Sequence, residues 1–424
     1  MYVLPLPAVV PWGMQHSSYL SKFAAVALGG LNLREGQCLA IKVEPENLDA
    51  AIAVATLAYR RGASYVDLWV ESSRMQRCRI DNSNGDDLSF VPHYRQQRNE
   101  EFLQDSWALL SIKSPADPAV LDGANPARAG VIARAESGAD QNLRRGLSND
   151  MTQWVVMAVP SEGWASQVMN NPNGAEALEQ MWNAMVPILR LDADDPVAYW
   201  HEHGLELDAR AQHLNQLHID SLHFTDSSGA TDLTVGLTDR AIWKGGGAWT
   251  QSGIRFAPNI PTEEVFTTPD FRRTNGRVLF SRPVRVFGQL VEDGWIVFSD
   301  GVVTDYGAAR GKDALTAFLE VDEGSRRMGE IALVDCSSPI FQSQLLFHNI
   351  LLDENAACHF ALGFAYPTCI RDGATMDDRE LEAHGANRSQ QHLDFMIGSE
   401  HMSISATLQD GTSTEIMRDG QFTL

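Results

Sequence analysis

A strand, a helix and a second strand are predicted by residues 38–70, which begin with Cys38-Leu-Ala-Ile-Lys-Val43 and end with Ser64-Tyr-Val-Asp-Leu-Trp-Val70. Both flanking runs are apolar and rich in β-branched or aromatic residues, as buried strands are. Between them, Pro45 is typical of a helix start and Gly62 of a helix end. One helical face carries Leu48, Ile52, Ala55 and Tyr59. This order of elements predicts a right-handed parallel crossover.

The rest of the chain predicts two domains, because 424 residues exceed what one core usually serves. Gln153–Pro160 reads as a later strand of the first sheet, so residues 1–190 are predicted to form an α/β domain with a parallel sheet. A helix is predicted over 200–217. Short β-type runs then follow at 219–224, 231–237, 278–281, 284–290, 295–298 and 331–334. Residues 191–424 are therefore predicted to form a mixed, mainly β (α+β) domain.

Composition excludes several function classes. The formal charge of −22 argues against a nucleic-acid or anionic-membrane partner. No stretch has transmembrane length, and the opening Met1-Tyr-Val-Leu-Pro-Leu-Pro-Ala8 lacks the preceding positive residues of a signal peptide. The five cysteines contain no Cys-x-x-Cys pair, which favours reduced thiols and a cytoplasmic location. Cys358 is interpreted as a small buried hydrophobe.

The segment Gln391-His-Leu-Asp-Phe-Met-Ile-Gly398 carries the clearest chemical pattern. On a strand, His392 and Asp394 point to the same face, so one metal ion can meet both. A satisfied pair on a surface strand is the common alternative for an isolated His-x-Asp. The apolar run beside this pair favours burial, where unpaired charge is unfavourable unless a cation neutralises it.

Five further positions gain meaning only as a set. Glu330 precedes a strand, where it is either solvated or held by a cation. Glu263 and Glu264 lie between Pro261 and Pro269, and at least one of them is expected to face inward, although helix capping by Thr262 is an alternative. His359 and Tyr366, taken singly, are typical of a hydrogen-bonded core histidine and a packed aromatic. Together with His392 and Asp394, these residues make a nitrogen and oxygen site that suits divalent metal ions.

Other signatures are missing or do not converge. The chain has neither Gly-x-Ser-x-Gly nor His-Glu-x-x-His, so serine hydrolase and zincin sites are not indicated. His201 and His203 are two residues apart on a predicted helix and therefore do not point to one ion. Lys244-Gly-Gly-Gly247 lacks the spacing of a phosphate loop, and its glycines indicate a turn or a close backbone approach.

Three segments resemble the aminopeptidase T family of metallo-aminopeptidases, the thermophilic or leucyl aminopeptidase type. They are Asn259-Ile-Pro-Thr-Glu-Glu-Val-Phe-Thr-Thr-Pro269, Asp353-Glu-Asn-Ala-Ala-Cys-His359 with Ala365-Tyr-Pro367, and His392-Leu-Asp-Phe-Met-Ile-Gly398. Looser similarity at 232–237, 243–247 and 122–126 extends the resemblance over most of the chain. It implies hydrolysis of the first peptide bond of small peptides by a homodimer with two metal ions in each C-terminal domain.

The resemblance also implies roles for individual residues. The metal ligands would be Glu264, Glu330, His359, His392 and Asp394, with Glu330 as the bridge. Tyr366 would be the catalytic phenol. The resemblance favours Glu264 over Glu263 as the ligand and leaves Glu263 as a general base or a group that binds the free amine. The ions would be zinc, cobalt, manganese or magnesium.

Two other functions are compatible with parts of this pattern. An iron-dependent ring-cleaving dioxygenase of the dihydroxypyridine type would use His359, His392 and Asp394 as a facial triad. Glu264 and Glu330 argue against it, since such a site has no need of two more carboxylates. A non-catalytic dimeric scaffold is disfavoured by the complete ligand set.

Overall fold

The computed structural model describes residues 12–424, so the opening Met1–Ala8 segment lies outside the described residues. The helices of the first part are α1 (Trp12–Leu31), α2 (Leu48–Arg60), α3 (Ser73–Asn82), α4 (His93–Gln104), α5 (Pro126–Ala139), α6 (Gln141–Ser148), α7 (Glu162–Val168), α8 (Gly174–Ile188) and α9 (Pro196–Gln216). The strands among them are β1 (Cys38–Val43), β2 (Tyr65–Val70), β3 (Ala108–Ile112) and β4 (Trp154–Met157).

These four strands form the parallel sheet that the sequence predicted, in the order β2-β1-β3-β4. β1 pairs with β2 in register from Cys38 opposite Tyr65, and β4 pairs with β3. The face of α2 that is buried differs from the predicted face, which carries the larger apolar side chains. Ala50, Ala51, Val54 and Ala58 are buried, because α2 packs closely on α1 and small residues permit that approach, whereas Ile52 and Tyr59 are about half exposed.

The second part is mainly antiparallel β structure. Its strands are β5 (Ile219–Asp226), β6 (Asp232–Leu237), β7 (Lys244–Gly245), β8 (Ala248–Trp249), β9 (Arg255–Phe256), β10 (Glu264–Thr267), β11 (Pro269–Leu279), β12 (Val284–Val286), β13 (Gln289–Val291), β14 (Trp295–Ser299), β15 (Val302–Gly307), β16 (Met328–Val334), β17 (His359–Gly363), β18 (His392–Met396), β19 (Met402–Leu408), β20 (Ser413–Arg418) and β21 (Gln421–Phe422). Four short helices are α10 (Lys312–Leu319), α11 (Pro339–Gln342), α12 (Ile350–Asp353) and α13 (Asp378–Ala383). The predicted fold class is confirmed.

Two sheets of this part enclose the second core. One has eight strands in the order β15-β14-β11-β6-β5-β19-β20-β21, and the other has five in the order β18-β17-β16-β10-β7. Apolar side chains such as Phe224 and Val235 from the first sheet cluster with Leu333, Phe360 and Phe395 from the second. The five-stranded sheet therefore has one face fixed in the core, which leaves its other face for the site.

The first core joins the two halves of the chain. It contains the interior of the parallel sheet together with Trp200, Ile260 and Phe347, which come from beyond residue 191. The division into domains of 1–190 and 191–424 remains a prediction. Gly246 confirms the expected close approach, because a Cβ atom there would overlap the carbonyl oxygen of Gly204 on α9. Among the helices described, none is both long and apolar enough to cross a membrane.

Candidate metal centre

Strand register places all five predicted ligands on one face of the five-stranded sheet. Directly paired residues of antiparallel strands share a face, and residues two apart on one strand do so as well. Ala332 pairs with His359, Ala361 pairs with both Glu330 and Asp394, and Gly363 pairs with His392. Glu264 pairs with Val334, which lies two residues from Ala332. The pairing of four separate chain segments thus brings the five side chains together.

Both histidines present the same ring nitrogen to this group. Nδ1 of His359 lies 3.1 Å from the carbonyl oxygen of Ala357, and Nδ1 of His392 lies 2.7 Å from that of Phe364. Because a carbonyl only accepts, each Nδ1 is the donor, and Nε2 is the ring nitrogen that faces the carboxylates and is available to a metal ion. Histidines that bind a metal ion commonly donate their other ring N–H to a backbone carbonyl in this way, which fixes the orientation of the ring.

Glu330 lies between two pairs of side chains. Its Oε1 lies 3.8 Å from Nε2 of His359, and that nitrogen is also 3.1 Å from Oε2 of Glu264. Its Oε2 lies 3.6 Å from Nε2 of His392, which is 3.5 Å from Oδ1 of Asp394. One carboxylate therefore faces a histidine and a second carboxylate on each side.

The donor set fits divalent cations. Glu264, Glu330 and His359 offer ligand atoms within 4.8 Å of one another, and all three side chains are buried. Oε2 of Glu264 is buried without a hydrogen-bond partner, despite its closeness to His359. A buried carboxylate oxygen left in this state is unfavourable unless a cation occupies the space that it faces.

The titration properties of the group have the same cause. Burial raises the pKa of Glu330 against the opposing effect of the two histidines. Burial alone would lower the pKa of His359, but Glu264 and Glu330 outweigh it and raise this pKa well above its usual value. Burial likewise opposes the charged form of His392, yet Asp394 and Glu330 raise the pKa of this ring to about 9. The carboxylates thus attract positive charge strongly to this point.

Tyr366 lies at the edge of the ligand group. Its ring meets that of His392 edge-on, with centroids 5.1 Å apart, and it borders the same cleft as the ligands. Burial, followed by the charge of Glu330 and Asp394, raises the pKa of this phenol well above its usual value. The hydroxyl therefore keeps its proton and can donate a hydrogen bond into the cleft.

Glu263 is not brought into this group. Its Oε1 accepts from Nη2 of Arg190 at 2.9 Å, and its Oε2 lies 3.3 Å from Nε2 of His203. The backbone of the same segment is held too, since the N–H of Glu263 donates to Oδ1 of Asn355 at 2.7 Å. Successive residues of an extended segment point to opposite sides, so Glu263 binds the helical side while Glu264 faces the cleft.

Comparison with known proteins shows which family the chain belongs to. The family described as thermophilic metalloproteases (M29) matches residues 16–422. The chain belongs to this family. Aminopeptidase 2 of Geobacillus stearothermophilus is 37% identical over 404 residues, which cover 95% of this chain and 97% of that protein. Aminopeptidase T of Thermus aquaticus is 36% identical over 406 residues, 96% of this chain and 98% of its own.

A solved structure agrees with the fold of this M29 metalloprotease. Wild-type AmpT from Thermus thermophilus superposes with a TM-score of 0.89 at 33% identity, covering 96% of this chain and all of that one. These relationships confirm the resemblance drawn from the sequence and make the protein a metal-dependent aminopeptidase. Nothing in them supports the dioxygenase alternative.

Sequence reasoning missed one acidic residue of the metalloprotease centre, Glu354. It borders the cleft with the ligands, and its carboxyl is hydrogen-bonded to Asp394. Burial, followed by the charges of Asp394 and Glu264, raises the pKa of Glu354 well above its usual value. The signal available was its place five residues before His359 inside a segment already singled out. In sequence alone it resembles an ordinary polar residue after a short helix.

Proposed function

We propose that two divalent ions occupy the centre, with Glu264 and His359 on one side, His392 and Asp394 on the other, and Glu330 between them. The supporting observation is that the two oxygens of Glu330 face different histidines. Glu354 is proposed as a sixth ligand, since its carboxyl lies against Asp394. Nitrogen and oxygen donors of this kind suit zinc, cobalt, manganese or magnesium.

When bound, such ions supply Lewis-acid polarisation of a carbonyl and an activated water. The chain's own residues do the remaining work on the first peptide bond of a small peptide. The phenolic O–H of Tyr366 donates a hydrogen bond to the carbonyl oxygen, which becomes negative as the carbonyl is attacked. Buried carboxylates beside it provide the negative surroundings that a free α-amine prefers.

Glu263 is proposed as a positioning residue for its neighbour. Arg190, His203 and Asn355 together hold the carboxylate and the backbone of Glu263. Glu264 is the next residue and the first of β10, so the direction of its side chain depends on how Glu263 is held. The role expected from the resemblance, a general base or amine-binding group, would require the carboxylate to leave Arg190.

Three broader proposals accompany this mechanism. Small peptides are the proposed substrates, because the cleft that contains the ligands has a volume of about 470 Å³. A homodimer is proposed from the resemblance, and the exposed apolar side chains of α2 and β2 are compatible with a partner surface. A cytoplasmic location is proposed because the five cysteines are free.

Metal stoichiometry and peptide cleavage test the proposal together. The purified protein is analysed for metals and assayed for release of leucine from a leucyl peptide, before chelation, after chelation and after metal restoration. We expect two ions per chain and cleavage that disappears and returns. One ion with full cleavage would overturn the two-metal proposal, and a chelator-resistant release would overturn the role of the metal.

Replacement of Tyr366 by Phe tests the phenol. The variant lacks the proposed oxyanion donor, so we expect kcat to fall by about 10²- to 10³-fold. Metal content and melting temperature are measured on the same samples. A loss of metal parallel to the loss of turnover would show that the ring serves the structure of the centre instead.

A further inference from the structure

Arg285 lies at one end of the metal cleft and has no assigned role. It belongs to β12, which packs beside β18, and the N–H of Ser281 just before it donates to the carbonyl oxygen of Met396 on β18 at 2.8 Å. Its side chain lines the same cleft as His392 and Asp394. It also lines a second cavity of about 470 Å³, so it forms part of the wall between the two.

The guanidinium of Arg285 is only half used. Nη1 donates to the carbonyl oxygen of Gly288 at 2.6 Å and lies 3.3 Å from Oδ1 of Asp122. Nε is buried without a hydrogen-bond partner, and Nη2 makes no hydrogen bond within residues 12–424. The Nε and Nη2 edge is the pair of parallel donors that matches a carboxylate.

The other cationic end of the cleft differs in its surroundings. Lys244 lines the cleft from β7, at the opposite edge of the five-stranded sheet from β18. Asp150 borders the cleft on the same side, and its pKa is raised by burial against the charge of Lys244. Lys244 thus interacts electrostatically with a carboxylate that borders the same cleft. The partner of Arg285, Asp122, is more than half exposed and is screened by water.

A short peptide brings its own negative charge into this acidic site. The protein carries a formal charge of −22, and the ligand group is rich in carboxylates. An α-carboxylate entering the cleft is repelled unless a cation meets it. In a dipeptide or tripeptide that carboxylate lies only one or two residues beyond the bond to be cut.

We infer that Arg285 binds the free C-terminal carboxylate of short peptide substrates through its Nε and Nη2 donors. The inference rests on the proposed aminopeptidase function and deepens it, because it assigns the substrate class as short peptides with an unmodified C-terminus. Arg285 acts on specificity and does not touch the reacting bond.

The experiment compares free-acid and amide forms of one peptide series. Leucylglycine, leucylglycylglycine and leucylglycylglycylglycine are assayed with their C-terminal amides, and the ratio of kcat/KM for acid over amide is taken at each length. This ratio cancels any effect common to both forms. For the metal-loaded enzyme we expect roughly a 10- to 100-fold preference for the acid at one short length. In Arg285→Gln the ratio falls to about one.

Two matched substitutions identify the group responsible. Arg310→Gln removes an exposed arginine that lines only the second cavity, so its ratio should match the wild-type value. Asp122→Asn removes the exposed partner of Arg285, so its ratio should rise. This second variant keeps the test decisive if Arg285→Gln does not fold. Melting temperatures and metal content are recorded for all.

The outcomes separate this inference from the proposed function. A wild-type ratio near one at every length, or a preference that survives Arg285→Gln, overturns the role of Arg285. A preference that Lys244→Gln removes and Arg285→Gln retains also overturns it. If the metal-loaded enzyme releases leucine from neither form, the proposed function itself has failed.

Discussion

The two faces of the five-stranded sheet are built by the same strands and have opposite chemistry. One face carries Val265, Ile331, Leu333, Phe360 and Phe395, all of which belong to the second core. The other carries Glu264, Glu330, His359, His392 and Asp394. Four of these five charged groups are also buried, with Glu330 at 5% exposure and His359 at 1%, whereas His392 is partly buried.

This difference shows how the fold supports a site made of buried charged groups. Apolar contacts on the core face stabilise the strands. The opposite face can therefore hold several carboxylates close together, although their charges repel one another. Because side chains alternate, the consequences of substitution should alternate as well. One face should change stability and the other should change metal binding and turnover.

The largest expected effect is on the charged face, in Glu330→Gln. In the proposed two-ion centre, both ions lose a ligand. Changes to outer-shell partners alone reduce metal affinity or activity by 10–100-fold, so we expect kcat/KM to fall by at least about 10³-fold. Elemental analysis should show metal loss. The melting temperature in chelator should not fall, because burial already disfavours the ionised form of Glu330. The control is Glu320→Gln, an exposed residue after α10.

The next effect is on the apolar face, in Phe360→Ala. The Phe360 ring packs with Phe395 at 5.5 Å and with Phe298 at 5.9 Å between centroids. Truncation should lower the free energy of unfolding by about 3–5 kcal/mol, measured by urea denaturation. At a temperature where the variant is folded, its metal content should match the wild type. Metal loss in the fully folded variant would show that the two faces are not separable.

A smaller effect is expected at Glu263, which directly precedes Glu264 and points to the opposite side of the segment. Glu263→Gln leaves Arg190 largely buried with a weaker partner, so we expect about 2 kcal/mol less stability. If Glu263 positions Glu264, kcat/KM should fall by roughly 10-fold with the pH profile unchanged. Glu264→Gln, in contrast, should lose metal. A deep loss of kcat with full metal and normal stability would support direct catalysis by Glu263.

The sequence predicted elements well where one local pattern decided them. The parallel unit at 38–70 depends on nearby residues alone, and the helix predicted over 200–217 is observed as Pro196–Gln216. The same local reasoning failed for the buried face of α2, because packing against α1 favours its alanines. It also could not relate Arg190 and His203 to Glu263, since these contacts depend on how α8 and α9 meet the strand region.

For the site, the sequence supplied the residue types and the resemblance supplied their grouping. The shared face follows from strand register, which depends on successive pairings between separate segments, such as Glu264 with Val334 and Gly363 with His392. No local pattern contains that register. Glu354 and Arg285 were missed for the same reason, because their positions become meaningful only when β12 and the segment before β17 meet the cleft.

The smallest predicted effect concerns two aspartates of the cleft, the buried Asp394 and the partly buried Asp150. Asp394 has a lowered pKa, because His392 outweighs the opposing effect of burial, whereas burial raises the pKa of Asp150 from 3.8 to about 6 despite Lys244. A raised acid pKa means that stability is full below the unfolded-state value and is lost as pH rises through the folded-state value. Relative to Asp150→Asn, the wild type should therefore lose at most about 2 kcal/mol between pH 4 and pH 7. Urea denaturation of both proteins at several pH values measures that difference, and a gap that stays constant would mean that Lys244 fully compensates the burial of Asp150.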